Sequence, residues 1–396
     1  MLPEGVAGGL FWLLLPVAAA SGWLAARRRF GAGSRRAGAA RGISADYFRG
    51  LNYLLNEQPD KAIDVLVKLL DVDGANVETH LALGNLYRRR GEVDRAIRIH
   101  QNLIAKLAAN HEQRSHAVLE LAMDYMRSGL LDRAEGLFRE LLEQKMNAVE
   151  ALQHLINIYQ QEQDWDKAIE TGRQLESVAG RRLDNMIAHF LCEKAEVARV
   201  QRDCARARSL VEEALTVDRN CVRASMIAGA VAELEGRLDD AIDAYARVER
   251  QDPQFLPEAV PHLVECYRRL GRDGHLQSYL EAIANRQAGI TPVLALADLA
   301  RDRGDLDAAM RHVADELRRR PTVRGLDRFV HLAMHKSDGQ TREVLALLNG
   351  FTTRLLESKA TYRCEDCGFS GRSLHWQCPG CKSWNTVKPI HGIEGE

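Results

Sequence analysis

The feature that most constrains the fold of this chain is a pattern of small and aromatic residues that recurs about every 34 positions. Tyr53 and Ala62 return 34 residues later as Tyr87 and Ala96. Self-similarity at such a period is typical of arrays in which each repeat packs on its neighbours. The sequence predicts eight repeats over residues 43–321, because one nearly always small position steps along the chain as Ala62, Ala96, Ala134, Ala168, Ala207, Ala241, Leu276 and Ala309.

The residues inside each repeat favour helices. The chain has only 10 Pro and 6% aromatic residues, a composition that favours helices over a β-sandwich. Gly91 stands where one helix would end, and Asp94 follows where the dipole of the next helix favours an acid. The pattern resembles the tetratricopeptide repeat, two antiparallel helices whose small residues permit close approach, although the first-helix Trp is missing and Leu276 replaces Ala. We therefore predict an all-α tetratricopeptide-repeat solenoid.

A helix-pair array of this kind predicts a binding scaffold rather than an enzyme. None of the motifs GxxxxGK[ST], HExxH, GxSxG or GxGxxG occurs in the sequence, so no familiar phosphate-binding or hydrolytic site is indicated. We expect the groove of the array to recognise proteins through first-helix side chains. These groove residues are Asn85, Arg88, Arg89, Met123, Met126, Arg127, Asn157, Gln160 and Gln161.

The amino terminus predicts a membrane anchor. Gly5 to Ala26 form a run of 22 residues without a charge, and a helix of that length, about 33 Å, crosses a hydrocarbon core of about 30 Å. Six Arg residues follow by position 41, whereas only Glu4 precedes the run. The positive-inside rule then places the rest of the chain in the cytoplasm of a single-pass membrane protein. A cleaved signal peptide, the alternative, carries its positive charge ahead of the apolar run.

Charge is distributed unevenly along the chain. Residues 27–42, rich in Gly, Ala, Ser and Arg, are typical of a basic linker lying near anionic lipid headgroups. Residues 43–360 carry 44 basic and 50 acidic side chains, and the net charge of the chain is -1. Nucleic-acid binding needs a basic surface, whereas this middle part of the chain has an excess of acidic side chains, so we expect no nucleic-acid partner.

The carboxyl end, residues 361–391, carries a tetracysteine motif. Cys364 and Cys367 form one CxxC pair, and Cys378 and Cys381 form a second after ten intervening residues. Four thiolates in two turns suit one divalent ion, zinc or a rubredoxin-type iron, and a closed four-cysteine shell favours a structural metal over a catalytic one. Disulfides, the alternative, are disfavoured in the cytoplasm.

Several residues around this motif carry secondary expectations. We expect Trp376 and Trp384 to cover the metal, and the metal domain to pack on the solenoid. The other four cysteines, Cys192, Cys204, Cys221 and Cys266, lack ligand spacing and are expected to be small buried apolar residues.

Between the repeats and the metal motif, residues 322–360 predict a helical cap for the array. His331 and His335 lie four residues apart on its first helix. They could share a metal, but without a third ligand a surface or docking face is the better interpretation.

Taken together, an anchor, a tetratricopeptide-like array and a closing CxxC…CPGC unit resemble the lipopolysaccharide assembly protein B family of Gram-negative bacteria over essentially the whole chain. The last segment alone is also similar to the zinc ribbon of a bacterial DNA-repair ATPase, whose nucleotide-binding loop is absent here. Lys382 stands where rubredoxins commonly have Gly, which leaves open whether the metal is zinc or iron.

The resemblance implies a regulator of lipopolysaccharide biosynthesis. Proteins of this family act as adaptors that present the deacetylase LpxC to the membrane protease FtsH, and they receive a lipopolysaccharide-sensing inner-membrane partner. A homo-oligomer is a further possibility. Two alternatives remain open: a general inner-membrane scaffold for envelope-assembly enzymes, and a rubredoxin-type redox protein, which would need iron at the four cysteines.

Overall fold

The computed structural model of the chain describes residues 45–56, 58–72, 77–107, 110–286, 289–393 and 395–396. The predicted membrane span, residues 5–26, and the basic linker lie outside them. Among the described helices, none combines the length and the apolar character that crossing a bilayer requires. The chain divides into two compact units, the first ending at Asn147 and the second beginning at Ala148.

The described part of the first unit consists of helices that pack in consecutive pairs, α1 with α2, α3 with α4, and α5 with α6. Asn110 caps α5, because its side chain accepts a hydrogen bond from the amide of Gln113. Short turns join the two members of a pair, and Gly91 between α3 and α4 has φ +83°, a conformation that glycine adopts without steric cost. The helices are α1 (Ala45–Leu55), α2 (Pro59–Val72), α3 (Val77–Arg89), α4 (Val93–Lys106), α5 (His111–Arg127) and α6 (Leu131–Glu143).

The second unit continues the same pairing and adds a small sheet at its end. Its helices are α7 (Ala148–Glu162), α8 (Trp165–Ala179), α9 (Asp184–Val200), α10 (Cys204–Val217), α11 (Val222–Leu234), α12 (Leu238–Ala246), α13 (Val248–Gln251), α14 (Leu256–Arg269), α15 (Asp273–Arg286), α16 (Thr291–Asp302), α17 (Leu306–Arg319), α18 (Val323–Lys336) and α19 (Gly339–Ser358), with a 3-10 turn at Pro253–Phe255. The strands β1 (Tyr362–Cys364), β2 (Ser370–Gly371) and β3 (Val387–Pro389) form an antiparallel sheet in the order β2-β1-β3.

The stepping small residues lie where each pair of helices meets. All eight, from Ala62 to Ala309 and including Leu276, belong to the second helix of a pair, and each is completely buried. The first helices contribute glycines at the same contact, since a Cβ added to Gly84 would lie 2.3 Å from a ring nitrogen of His100 on the partner helix. The all-α tetratricopeptide-repeat fold with a small C-terminal domain is therefore confirmed, and close helix approach is the reason for its small residues.

The segment predicted as a cap forms the pair α18 and α19. α19 packs on α18 through Thr352, which is buried and donates a hydrogen bond to Asp327. Its other face is apolar and exposed to solvent at Val344, Leu347, Leu348, Phe351 and Leu355. Large exposed apolar side chains are unusual for the end of an array, where a polar face is the norm.

The cysteines outside the metal motif differ in exposure. Cys192, Cys221 and Cys266 are buried, as the sequence predicts, whereas Cys204 is only partly buried. Cys204 is the first residue of α10, and the open first turn of that helix explains why the burial predicted for Cys204 was wrong.

The substitution Gly229→Ala tests the close helix approach in the second unit. The new Cβ would lie 2.4 Å from the ring of Tyr245, which is fully buried. We expect the free energy of unfolding, measured by urea denaturation, to fall by about 1–3 kcal/mol because the enclosed ring must move. Gly350→Ala on α19 is the control, since nothing lies within 4 Å of its added Cβ, and it should change stability by less than about 1 kcal/mol, in the stabilising direction. Equal stability of the Gly229→Ala variant and the parent would contradict the explanation.

Candidate metal centre and its docking on the repeats

The four predicted cysteine ligands come together at one point. All four sulfur atoms lie within 4.8 Å of one another. Cys364 Sγ is 3.7 Å from Cys381 Sγ, and Cys367 Sγ is 3.6 Å from Cys378 Sγ. Tetrahedral coordination with metal–sulfur bonds of about 2.3 Å needs sulfur atoms about 3.8 Å apart. The geometry and the soft donors therefore fit one metal ion.

Two similar backbone turns position these ligands. In the first, the amide of Gly368 donates to the carbonyl of Cys364, and in the second the amide of Lys382 donates to the carbonyl of Cys378. Gly368 has φ +75° and Lys382 has φ +62°, so both occupy the left-handed region. The two positions have the same backbone conformation, so glycine suits the position of Lys382 as well. A residue with a side chain costs roughly 1–2 kcal/mol in the left-handed region.

Hydrogen bonds adjust the acidity of the thiols. Burial raises the pKa of Cys364. The Thr386 hydroxyl, 3.3 Å from its sulfur, and two backbone amides outweigh burial and lower that pKa to about 6. The side chain and amide of Ser383 lower the pKa of Cys381. The amide of Phe369 lowers the pKa of Cys367, but burial and the neighbouring thiols outweigh it and raise that pKa to about 11. Four adjacent thiolates repel one another, so their common charged state suits a divalent cation.

The two tryptophans of the metal domain face the repeats. Trp384 stacks on His189 of α9, with ring centroids 5.1 Å apart, and its ring edge meets Phe190 at 5.8 Å. Trp376 stacks on Phe255 at 5.2 Å. Tyr362, Phe369 and Leu374 pack around the buried core of the domain, and a cover of the metal by the two tryptophans stays a prediction.

Polar contacts fix the domain at the same face. Gln160 of α7 accepts two hydrogen bonds through Oε1, one from Gln377 Nε2 and one from Trp384 Nε1, both 2.9 Å long. Lys388 pairs with Asp252 at 2.5 Å and lies 4.3 Å from the centre of the Phe255 ring. The expected packing of the metal domain on the solenoid is therefore present within the second unit.

The carboxyl tail adds a third attachment. Glu396 is buried and accepts hydrogen bonds from the amide and the hydroxyl of Thr291, at 3.1 and 2.8 Å. It also pairs with Arg324. Its carboxylate therefore lies at the N-terminus of α16, where the helix dipole favours negative charge.

A buried histidine lies between the two tryptophans. His189 is 1% exposed and has Trp384 on one side and Trp376 at 5.9 Å. Neither ring nitrogen has a hydrogen-bond partner among the described residues. Burial, with the positive charges of Arg223 and Lys388, lowers the pKa of His189 to about 3. The imidazole is therefore neutral and acts as an aromatic packing surface.

The predicted groove residues have different environments. Arg88 pairs with Glu120 at 2.7 Å and with the fully buried Asp124 at 2.9 Å, so it links two repeats of the first unit. Gln160 is engaged by the metal domain. A partner-binding role for the nine groove residues stays a prediction. The exposed members are Arg89, Arg127, Asn157 and Gln161, and the partly buried ones are Asn85, Arg88, Met123, Met126 and Gln160.

The docking residues on the repeats, His189, Phe255 and Asp252, were not predicted. The signal in the sequence was the pair Trp376 and Trp384, because two indole rings present more aromatic surface than so short a domain can bury.

His331 and His335, the second metal pair considered from the sequence, have their rings 4.9 Å apart. Among the described residues, however, the four cysteines are the one cluster with three or more grouped ligands.

Gln160→Leu tests the docking of the metal domain. The change leaves the indole N–H of Trp384 and the amide of Gln377 without their acceptor, which costs about 1–3 kcal/mol. We expect faster hydrogen exchange in residues 376–386, measured by mass spectrometry on the metal-loaded protein. Gln161→Leu is the matched control, because Gln161 is exposed and should leave exchange unchanged. The same exchange rate in both variants would argue against a docking role for Gln160.

The lowered pKa of His189 predicts that the stability of the protein depends on pH. The unfolded chain takes up this proton near the ordinary histidine pKa of 6.5, whereas the folded chain does so only near 3. The contribution of neutral His189 to the free energy of unfolding is therefore fully present above pH 6.5 and is lost as the pH is lowered towards 3. We expect a loss of about 2 kcal/mol between about pH 7 and pH 5 from this group.

The measurement is urea denaturation at both pH values. The His189→Phe variant, which retains an aromatic ring, should lose that part of the pH dependence, whereas His275→Phe at an exposed position should retain it. An unchanged pH dependence in His189→Phe would show that His189 is not the group responsible.

Comparison with known proteins agrees with this architecture. A family model described as a rubredoxin metal binding domain matches residues 362–389. Tetratricopeptide repeat models match residues 79–114, 119–182 and 192–254.

Two curated relatives match nearly the full chain. Lipopolysaccharide assembly protein B of Escherichia coli is 38% identical over 98% of this chain and 99% of its own length. The protein of the same name from Haemophilus influenzae is 33% identical over 97% of this chain and 99% of its own. These relatives are named as assembly proteins, and the repeats that match this chain belong to a scaffold type rather than to an enzyme family. At this identity and coverage, the chain belongs to the lipopolysaccharide assembly protein B family.

Proposed function

We propose that this chain is a membrane-tethered adaptor that binds the LpxC deacetylase and promotes its degradation by the FtsH protease, thereby regulating lipopolysaccharide biosynthesis. Membership of a family named for lipopolysaccharide assembly supports the pathway. Tetratricopeptide repeats support protein recognition as the activity. The client LpxC, the protease FtsH and a lipopolysaccharide-sensing membrane partner come from the family resemblance.

The observation that carries the proposal is the surface formed jointly by the repeats and the metal domain. Asn157 and Gln160 of α7 and Asn185 of α9 line a cleft of about 520 Å³ together with Lys382 and Trp384 of the metal domain. Its amides and cationic side chains can hydrogen-bond to the backbone and acidic groups of a peptide. A metal ion that holds the domain together would keep this surface rigid before a client arrives.

Tethering explains why an anchor would belong to such an adaptor. The charge-free run of residues 5–26 and the six arginines that follow support a single pass through the inner membrane with the repeats in the cytoplasm. A client held at the membrane surface meets an equally anchored protease at a raised effective concentration. The anchor then contributes to degradation without touching the client.

The half-life of LpxC in cells tests the proposal. Depletion of this protein should lengthen the half-life, and restoring the intact chain should shorten it again. A chain without residues 1–26 should fold but fail to restore turnover. The Cys364→Ser/Cys367→Ser variant should also fail, because it loses two of four metal ligands.

Cys204→Ser is the matched control for the cysteine changes, because Cys204 lies outside the metal cluster, and it should restore turnover fully. A half-life that does not respond to depletion would refute the adaptor function and favour a general inner-membrane scaffold for envelope-assembly enzymes. Full activity of the soluble form would refute the tethering argument alone.

The redox alternative depends on the metal. A rubredoxin-type protein needs iron with a reversible one-electron change at the four cysteines, whereas zinc has no redox chemistry. Metal analysis after native purification distinguishes them, since one zinc per chain excludes electron transfer.

A further inference from the structure

Two cysteines outside the metal domain lie against each other. Cys192 is on α9 and Cys221 immediately precedes α11, and their sulfur atoms are 3.8 Å apart. Both are buried, with 0% and 1% of their surfaces exposed. A disulfide bond is about 2.05 Å long, so an approach of less than about 2 Å would join them.

Their surroundings make the two sulfurs unequal. The Cys192 thiol lowers the pKa of Cys221, and the amide of Ala224 and the charge of Arg223 add to this effect. Burial, with the neighbouring Cys221, raises the pKa of Cys192. Cys221, at the N-terminus of a helix, is therefore the sulfur of the pair that loses its proton more readily, beside the Cys192 thiol. A thiolate next to a second sulfur is the arrangement that disulfide formation requires.

We propose that Cys192 and Cys221 are an oxidation site that forms a disulfide on exposure to a hydroperoxide. The Cys221 thiolate attacks one peroxide oxygen, the O–O bond breaks, and the departing hydroxide takes up a proton to become water. The resulting sulfenic acid on Cys221 is then attacked by the Cys192 sulfur. The S–S bond forms as hydroxide leaves with the Cys192 proton as a second water, so two thiols are oxidised and one peroxide is reduced.

Burial selects the class of oxidant. A glutathione disulfide is too large to reach sulfur atoms with almost no exposed surface, whereas hydrogen peroxide is close to water in size. Local opening of packed helices admits molecules of that size. Reduction by a thiol needs a larger opening, so the disulfide should be slow to reverse in the folded protein.

The position of the pair gives the bond a structural consequence. Glu193, next to Cys192, pairs with Arg223 at 2.8 Å, and the guanidinium of Arg223 lies 6.0 Å from the Trp376 ring. One turn earlier on α9, His189 stacks on Trp384. A disulfide would therefore join α9 to the start of α11, two of the elements that contact the metal domain, and restrict their relative movement.

The test is hydrogen peroxide treatment of the purified full-length, zinc-loaded chain, at a concentration that releases no zinc. Alkylation and trypsin digestion follow. We expect residues 183–194 and 220–223 to appear as one disulfide-linked species that dithiothreitol under denaturing conditions converts to two. Cys204 in residues 203–206 and Cys266 in residues 251–268 should remain alkylated.

Variants separate a specific pair from general thiol oxidation. Cys266→Ala should form the linked species at the parent rate. Cys192→Ala should form none, and dimedone added together with denaturant should instead trap a sulfenic acid on Cys221. Alkylated Cys192 and Cys221 after treatment of the parent, or linkage of either residue to Cys204 or Cys266 instead, would overturn the proposal.

Discussion

Burial of Trp376 and Trp384 against the repeat helices is the interaction on which the arrangement of the second unit depends. A domain of some 30 residues cannot enclose two indole rings and a metal site by itself. Both rings instead stack on aromatic side chains of the repeats, His189 and Phe255. Gln160 then satisfies the indole N–H of Trp384, which would otherwise be costly to bury.

The metal site and the docking face support each other. The second CxxC turn, Cys378 to Cys381, lies between the two tryptophans in the sequence, so a metal bound there sets the spacing of both rings. Lys388 on β3, the strand that pairs with the ligand-bearing β1, reaches Asp252. A closed four-thiolate shell would leave no place for a substrate, so a metal bound there would stabilise the shape of the surface.

In this arrangement the first helices of the repeats have two roles. Some of their side chains, such as Arg88, connect neighbouring repeats through buried ion pairs. Gln160 instead holds the chain's own metal domain. This face of the second unit is therefore built from two domains, and a client bound there would contact both.

The helix-pair repeats and the four cysteines of the metal site are predictable from the amino-acid sequence. Repeats are readable because close helix approach demands a small residue once per unit, as at Ala62 and Ala96, and ligands are readable because CxxC spacing alone brings two sulfurs to one turn. The contact between Trp384 and Gln160, in contrast, is seen only in the folded structure. These residues are 224 positions apart, and a single contact between distant segments has no period and no fixed spacing in the sequence from which it could be predicted.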